Sequence, residues 1–359
     1  MNFNCDELVD LKIYWKTNLI HKQMIVKLLS GLLFLAVSAS GYFLYKYLGG
    51  RVEDDNALRV GIITDVQSYA RRDKQTGEWE LSWRIKDPLE RFVKKMNKEF
   101  RPDVVIDLGD FIDGKDHRAY KTWQQTEKII NKLTMPVYHV LGNHETGRFE
   151  KTVWLDLVGY NNTYYYKDIT KGKISYRLVM LDSNFFPDGT DTTPEKRYYP
   201  GCINDEQWNW LESVLKEAQI EEKHVLIFIH HPPLNLDSWP NWGIFPQGEK
   251  MQALFEEYNI RAVFAGHIEQ MCYEEHEQIE YFVLQGFWKD KEHLKKEYRF
   301  ENAGNFYYVT VTPDDMEVNS EYRVFKNNEC DKENMIGWKR ELISGSKKYD
   351  CQDGHQLVQ

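Results

Sequence analysis

Short apolar runs rich in Val and Ile recur along the chain, and each ends abruptly in polar residues. They are LRVGIIT from Leu58, VVIDL from Val104, VYHVL from Val137, HVLIFI from His224 and RAVFA from Arg261. Runs of this length, bounded by turn-forming residues, predict buried strands. Helical spacing takes over between them. Leu89, Phe92, Val93, Met96 and Phe100 form one apolar stripe. Ahead of it stands Asp87-Pro88-Leu89-Glu90, which reads as a helix start: Asp87 as cap, Pro88 at the first helical position, Glu90 completing a capping box. Further helices are predicted over about 121–133, from Asn204 onward with Trp208, Leu211, Val214 and Leu215 facing inward, and over about 248–258. Strands near 279–285, 306–312 and 321–325 follow without helices between them. Mixed βα units succeeded by hairpins imply an α/β fold of two packed sheets with helices outside.

The polar clusters share one chemistry. The runs end in Asp65-Val66-Gln67, Gly109-Asp110 with Asp113, Gly142-Asn143-His144-Glu145, His230-His231-Pro232 and Gly266-His267-Ile268-Glu269. Ligands of open α/β sheets bind beyond the carboxyl ends of the strands. Carboxylate, amide and imidazole groups delivered there by five strands describe a metal site. Each residue also has a plainer reading: Asp110 as a helix cap, Asn143 as a turn residue. Those readings do not explain all five clusters together. His139, inside an apolar run, reads as a packed core histidine. His231 reads as a supporting or substrate-facing residue, and His276, at a polar hairpin tip, has no assigned role. The chain has no Walker loop and no G-x-S-x-G, which removes the P-loop and serine-hydrolase classes.

In this order the motifs resemble those of the calcineurin-like metallophosphoesterase superfamily over roughly residues 58–312. The resemblance implies a four-layer α/β/β/α sandwich and a two-metal site hydrolysing phosphate esters or anhydrides. It implies that Asp110 bridges both metals. Asn143, His230 and His267 complete one site, and Asp65, Gln67 and Glu269 the other. His144 then stands near the leaving group, oriented by Asp113. Two positions depart from the commonest pattern: Gln67 and Glu269 stand where imidazoles are usual, on the same metal. That site becomes all-oxygen, which suits Mn²⁺ or Mg²⁺, while Zn²⁺ or Fe suits the His-containing one. The D-x-Q variant resembles the manganese-dependent ADP-ribose and CDP-alcohol diphosphatases, although that branch keeps the last His. The implied substrate is a small phosphodiester or pyrophosphate, nucleotide-like or lipid-linked. The alternatives are a phosphomonoesterase, or a degenerate member that binds a phosphorylated ligand without turnover.

Charge and the N-terminus add location. The 359 residues carry a net charge of −10, which argues against a nucleic-acid partner. Residues 28–45 carry no charge and are long enough to span a bilayer. Val37-Ser38-Ala39 within them offers a signal-peptidase site, so cleavage and secretion is the alternative to an uncleaved anchor. Lys12, Lys16, Lys22 and Lys27 precede the segment, and only Lys46 and Arg51 follow it closely. The positive-inside rule then places 1–27 in the cytoplasm and the catalytic part, after a linker at 46–57, outside. Residues 313–359 read as a polar extension. Of five cysteines, four lie beyond the apolar segment, which permits disulfides without requiring them. Three long loops, 68–86 with Arg71 and Arg72, 182–201 with Phe185, Phe186, Lys196 and Arg197, and 234–247 with Trp239, Trp242 and Phe245, are expected on the active rim.

Overall fold

The computed structural model describes residues 54–197, 200–234, 243, 244, 247–269, 272–287 and 304–321. The chain separates into Met1–Asp54 and Asp55–Gln359, and every described residue but Asp54 belongs to the second unit. The apolar segment 28–45, the residues beyond 321, and Trp239, Trp242 and Phe245 lie outside the described residues. Among the described residues, no helix is long and apolar enough to cross a membrane.

Two sheets face each other. Strands β1 (Leu58–Ile63), β4 (Val104–Asp107) and β5 (Val137–His139) run parallel. Strands β12 (Tyr307–Val311) and β13 (Met316–Ser320) extend that sheet antiparallel on the β1 side. The second sheet has the order β10 (Cys272–His276), β11 (Ile279–Val283), β9 (Ile260–Ala265), β8 (His224–Ile229), β7 (Ile174–Leu181) and β6 (Tyr165–Lys171). Its four inner strands are parallel and both edge strands antiparallel.

The period-two alternation of each strand divides its side chains between two cores. Val60, Ile62, Val104 and Ile106 meet Leu178, Met180, Phe228 and Phe264 between the sheets. Ile63 and Val105 face the opposite way, toward helices α1 (Trp83–Lys95), α2 (Ala119–Ile130) and α4 (Lys151–Val158), which follow the short α3 (Asn143–Thr146) or flank it. Val179, Leu181, Ile227 and Ile229 pack under α5 (Asp205–Ile220) and α6 (Gly248–Glu256). The layers are therefore helix, sheet, sheet, helix.

Three boundaries differ from the sequence reading. Helix α1 begins at Trp83 after Ser82, and Pro88 sits inside it. The Asp87 capping reading fails because one missing N–H near the start is outweighed by the burial of Ile85, Leu89 and Phe92. The last strand occupies Met316–Ser320, where Val318 pairs with Val309, so the sheet runs on past Thr312. The 68–86 loop contains a hairpin, β2 (Ala70–Arg72) with β3 (Trp79–Leu81). There Arg72 Nε donates to Gly77 O at 3.0 Å, closing its own turn. Helix α5 starts from Asn204 as expected, and Asn204 caps it by accepting the Gln207 N–H at 2.9 Å.

Candidate metal centre

All five polar clusters arrive at one rim, and backbone hydrogen bonds tie their loops together. Asp65 N donates to Gly109 O (2.9 Å), Gln67 N to Asp110 O (2.8 Å) and Gly266 N to His230 O (3.0 Å). Asp65, Gln67, Asp110, His267 and Glu269 all adopt left-handed backbone, with φ of 50°, 46°, 55°, 67° and 56°. Non-glycine residues pay for that conformation in strain. Strain concentrated on the expected ligands marks a backbone shaped around the site.

The side chains converge in two groups. Asn143 Oδ1 lies 2.9 Å from both His230 Nε2 and His267 Nδ1. Asp110 Oδ1 lies 3.3 Å from His230 Nε2, which places it at the edge of that trio. Asp65, Asp110 and His230 each bring a ligand atom within 4.8 Å of the others, and so do His230, His231 and His267. Asp65 Oδ2 accepts from Thr64 Oγ1 (2.6 Å) and His267 N (3.1 Å). Its Oδ1 is buried with no hydrogen-bond partner. A buried carboxylate oxygen without a donor, on a residue grouped with Asp110 and His230, fits a divalent cation.

Charges in the cluster are strongly coupled. Burial opposes ionisation of Asp110, but His144, His230 and His267 outweigh it and hold the carboxyl well below the usual range. Burial works against a charged His230, yet Asp110 and Asp65 push it up to about 10. Asp65 is pushed up to about 6 by burial and by the charge of Asp110, and His267 is pushed down to about 3 by burial and by His230.

Gln67 and Glu269 meet each other. Gln67 Nε2 donates to Glu269 Oε1 at 2.6 Å. Facing a carboxylate with its NH₂, the amide has its carbonyl oxygen left for a cation. Glu269 stands outside both ligand groups among the described residues and joins the site through Gln67.

His144 corrects one expectation. Its Nδ1 accepts the backbone N–H of Gly114 at 2.9 Å. The Asp113 carboxylate turns instead to the N–H of Lys115 at 2.8 Å, a local Asx turn. An acceptor Nδ1 leaves the proton on Nε2, which lies 3.8 Å from Asp110 Oδ2 on a side chain 28% exposed.

Glu145 is a positioning residue to which sequence reasoning gave no role, although it is quoted in the motif. Its Oε2 accepts from Asp110 N (2.8 Å) and Gly142 N (3.0 Å), and its Oε1 from Ile112 N (3.0 Å). Glu145 thereby joins two of the metal loops. A side chain at Gly142 would collide with Asp110 and with Glu145, so that position needs glycine for close approach. His231 is fully buried and bonds Ser183 Oγ through Nδ1 at 2.7 Å, which excludes the substrate-facing reading. His139 pairs with Asp107 at 2.9 Å away from the ligands, as expected of a packed histidine. Phe185 is buried under the Lys151 ammonium and caps the core.

A family model for calcineurin-like phosphoesterases matches residues 58–271. The chain belongs to this family. Its members are hydrolases of phosphoester bonds that use two divalent metal ions. Among curated relatives, a protein of Arcobacter nitrofigilis named a probable glycerophosphodiester phosphodiesterase is 27% identical over 183 residues, covering 49% of this chain and 59% of the relative. A manganese-dependent ADP-ribose/CDP-alcohol diphosphatase of Oryza sativa subsp. japonica is 24% identical over 216 residues, covering 50% of this chain and 66% of the relative. The chain thus spans less than two thirds of these relatives. A dimetal phosphatase structure from Danio rerio shares the fold with a TM-score of 0.56 at 19% identity, over 73% of this chain and 95% of that one.

Proposed function

We propose that this protein hydrolyses a phosphodiester or pyrophosphate bond in a small phosphorylated substrate. The observation that carries the proposal is the convergence of Asn143, His230, His267, Asp110 and the unpartnered Asp65 oxygen at one rim. The activities for which the phosphodiesterase and diphosphatase relatives are named support that substrate class.

Asn143, His230, His267 and Asp110 would hold one cation. Asp65, Gln67 and Asp110 would hold the other, with Glu269 behind Gln67. Two bound divalent cations supply charge neutralisation for the phosphoryl group and an acidified water. Asp110, kept ionised by the histidines around it, brings the negative charge both cations need. His144, its Nδ1 held by Gly114, would offer its Nε2–H to the charge that develops on a phosphoryl or leaving oxygen. Glu145 holds the Asp110 loop still while this happens.

The test is metal analysis and turnover of bis-p-nitrophenyl phosphate by the purified protein and by Asp110→Asn. The wild type should bind two metals and turn over; the variant should lose metal at both sites and activity. A wild type that binds metal but turns over no phosphate ester would favour the binding-only alternative.

We further propose that residues 28–45 anchor the chain with its catalytic part outside the cytoplasm, on the strength of their uncharged length and the lysines before them. Protease added to intact cells should then remove the catalytic part; protection until lysis would reverse this topology.

A further inference from the structure

Residues 182–197 leave β7 at the metal rim and are fastened there at several points. Asn184 Nδ2 donates to Leu141 O at 2.7 Å, on the strand end that leads into α3. Lys151 Nζ bridges Asp182 and Asp191, both at 2.7 Å, across the base of the loop. Cys202 N donates to Ser183 O at 3.0 Å and closes it. A turn from Thr193 to Lys196, with Thr193 N donating to Lys196 O at 2.9 Å, then delivers Arg197.

Arg197 lies against the one-turn helix that carries His144. Its Nη2 donates to Gly147 O at 2.7 Å. The guanidinium carbon lies 3.2 Å from where a Cβ on Gly147 would stand, so the absence of a side chain there makes room for it. Gly147 is still helical, with φ of −71°, and follows His144 by three residues. Residues three apart share one helix face, at roughly 5–6 Å between Cβ positions. Arg197 therefore sits one short step beyond His144 along the same one-turn helix.

The cation has little to do for the fold. A carbonyl needs no full positive charge, and Arg197 uses one of its five donors on it. It is exposed and forms no ion pair among the described residues. A neighbouring cation, Lys151, shows the contrast, being consumed by two carboxylates. A pre-positioned guanidinium with free donors is suited to bidentate recognition of phosphate.

We propose that Arg197 binds a second, charged phosphoryl group on the leaving side of the scissile bond. This makes the site select a phosphoanhydride over an ester with an uncharged leaving group. The proposal rests on the phosphohydrolase reading above and narrows it. In the reaction, water oxygen bonds to one phosphorus and the bridging P–O bond breaks. Its electron pair stays on the departing phosphate, which Arg197 holds, and a proton passes to solvent.

The experiment compares kcat/KM for ADP-ribose, a phosphoanhydride, with that for bis-p-nitrophenyl phosphate in wild type, Arg197→Ala, Arg197→Lys and Gly147→Ala. The ADP-ribose to bis-p-nitrophenyl phosphate ratio should fall about tenfold or more in Arg197→Ala, chiefly through KM, as the loss of a charge-assisted hydrogen bond implies. Lysine should restore part of the ratio. Gly147→Ala should lower it by less and with Arg197 still in place, because the new methyl pushes the guanidinium back by a few tenths of an ångström. Equal losses on both substrates would make Arg197 a structural cap and overturn the proposal. So would a wild type that cleaves only bis-p-nitrophenyl phosphate, although the phosphodiesterase reading would survive. A wild type inert toward both would sink the activity itself. Calorimetric titration with inorganic pyrophosphate would then decide Arg197: weaker binding by Arg197→Ala supports it, and unchanged binding refutes it.

Discussion

Gln67 and Glu269, 202 residues apart in sequence, share a hydrogen bond of 2.6 Å at the rim of the metal centre. An amide oxygen and a carboxylate stand there in place of two imidazoles. Hard oxygen donors favour Mn²⁺ or Mg²⁺, and imidazole nitrogen favours Zn²⁺ or Fe. Gln67→His combined with Glu269→His should shift the preferred metal toward zinc. Reconstitution of the metal-free proteins with each ion reads this out. A wild type that works best with Zn²⁺, with no shift in the double variant, would end the argument.

Removing the His144 imidazole should separate chemistry from metal binding. His144→Ala is expected to lower turnover by roughly 10²–10⁴-fold, the range for a positioned proton donor. Metal content should hold, because the ring bonds Gly114 and is absent from both ligand groups. Loss of metal along with activity would make His144 a ligand.

Metal loading should be acid-sensitive in a defined window. A ligand imidazole must be neutral, yet His230 in the metal-free protein is pushed up to about 10. Below that pH, binding must expel its proton, so apparent affinity should rise about tenfold per pH unit as pH increases. Asp65, pushed up to about 6, adds a second proton to expel below that pH and steepens the loss. Metal titrations at several pH values, repeated in buffers of different ionisation enthalpy, count the protons. An affinity that does not change with pH would contradict the charge state assigned to His230.

Glu145→Ala should lower both stability and metal retention. It strands the buried N–H groups of Asp110, Ile112 and Gly142, each worth about 1–3 kcal/mol when left without an acceptor. Glu145→Gln, which keeps one acceptor oxygen, should lose less. Denaturant melts of the metal-free proteins give the stability difference, and elemental analysis of loaded protein gives the retention. Full stability in the alanine variant would remove the clamp.

The strands were legible because Val and Ile runs ending in Asp, Asn or His carry two signals at once, burial and site. The meeting of Asn143, His230 and His267 at one rim was legible for the same reason. Glu145 was not, since a carboxylate beside a motif histidine gives no hint that it will turn inward to three amides. The Asp113 role failed because one-dimensional spacing cannot say whether a carboxylate faces a ring or its own turn. Pro88 misled in the same way: proline marks where a helix can begin, and here packing of Ile85 and Leu89 moved the cap from the expected Asp87 back to Ser82, five residues earlier.

Five left-handed residues at the rim have a consequence for anyone engineering this protein. Each costs on the order of 1 kcal/mol that glycine would recover. Selection for heat resistance in the absence of metal would therefore reward the loss of Asp65, Asp110 or His267. The variants that melt highest in such a screen would be those that no longer hold a cation, so thermal tolerance and competence should be scored together, on metal-loaded protein.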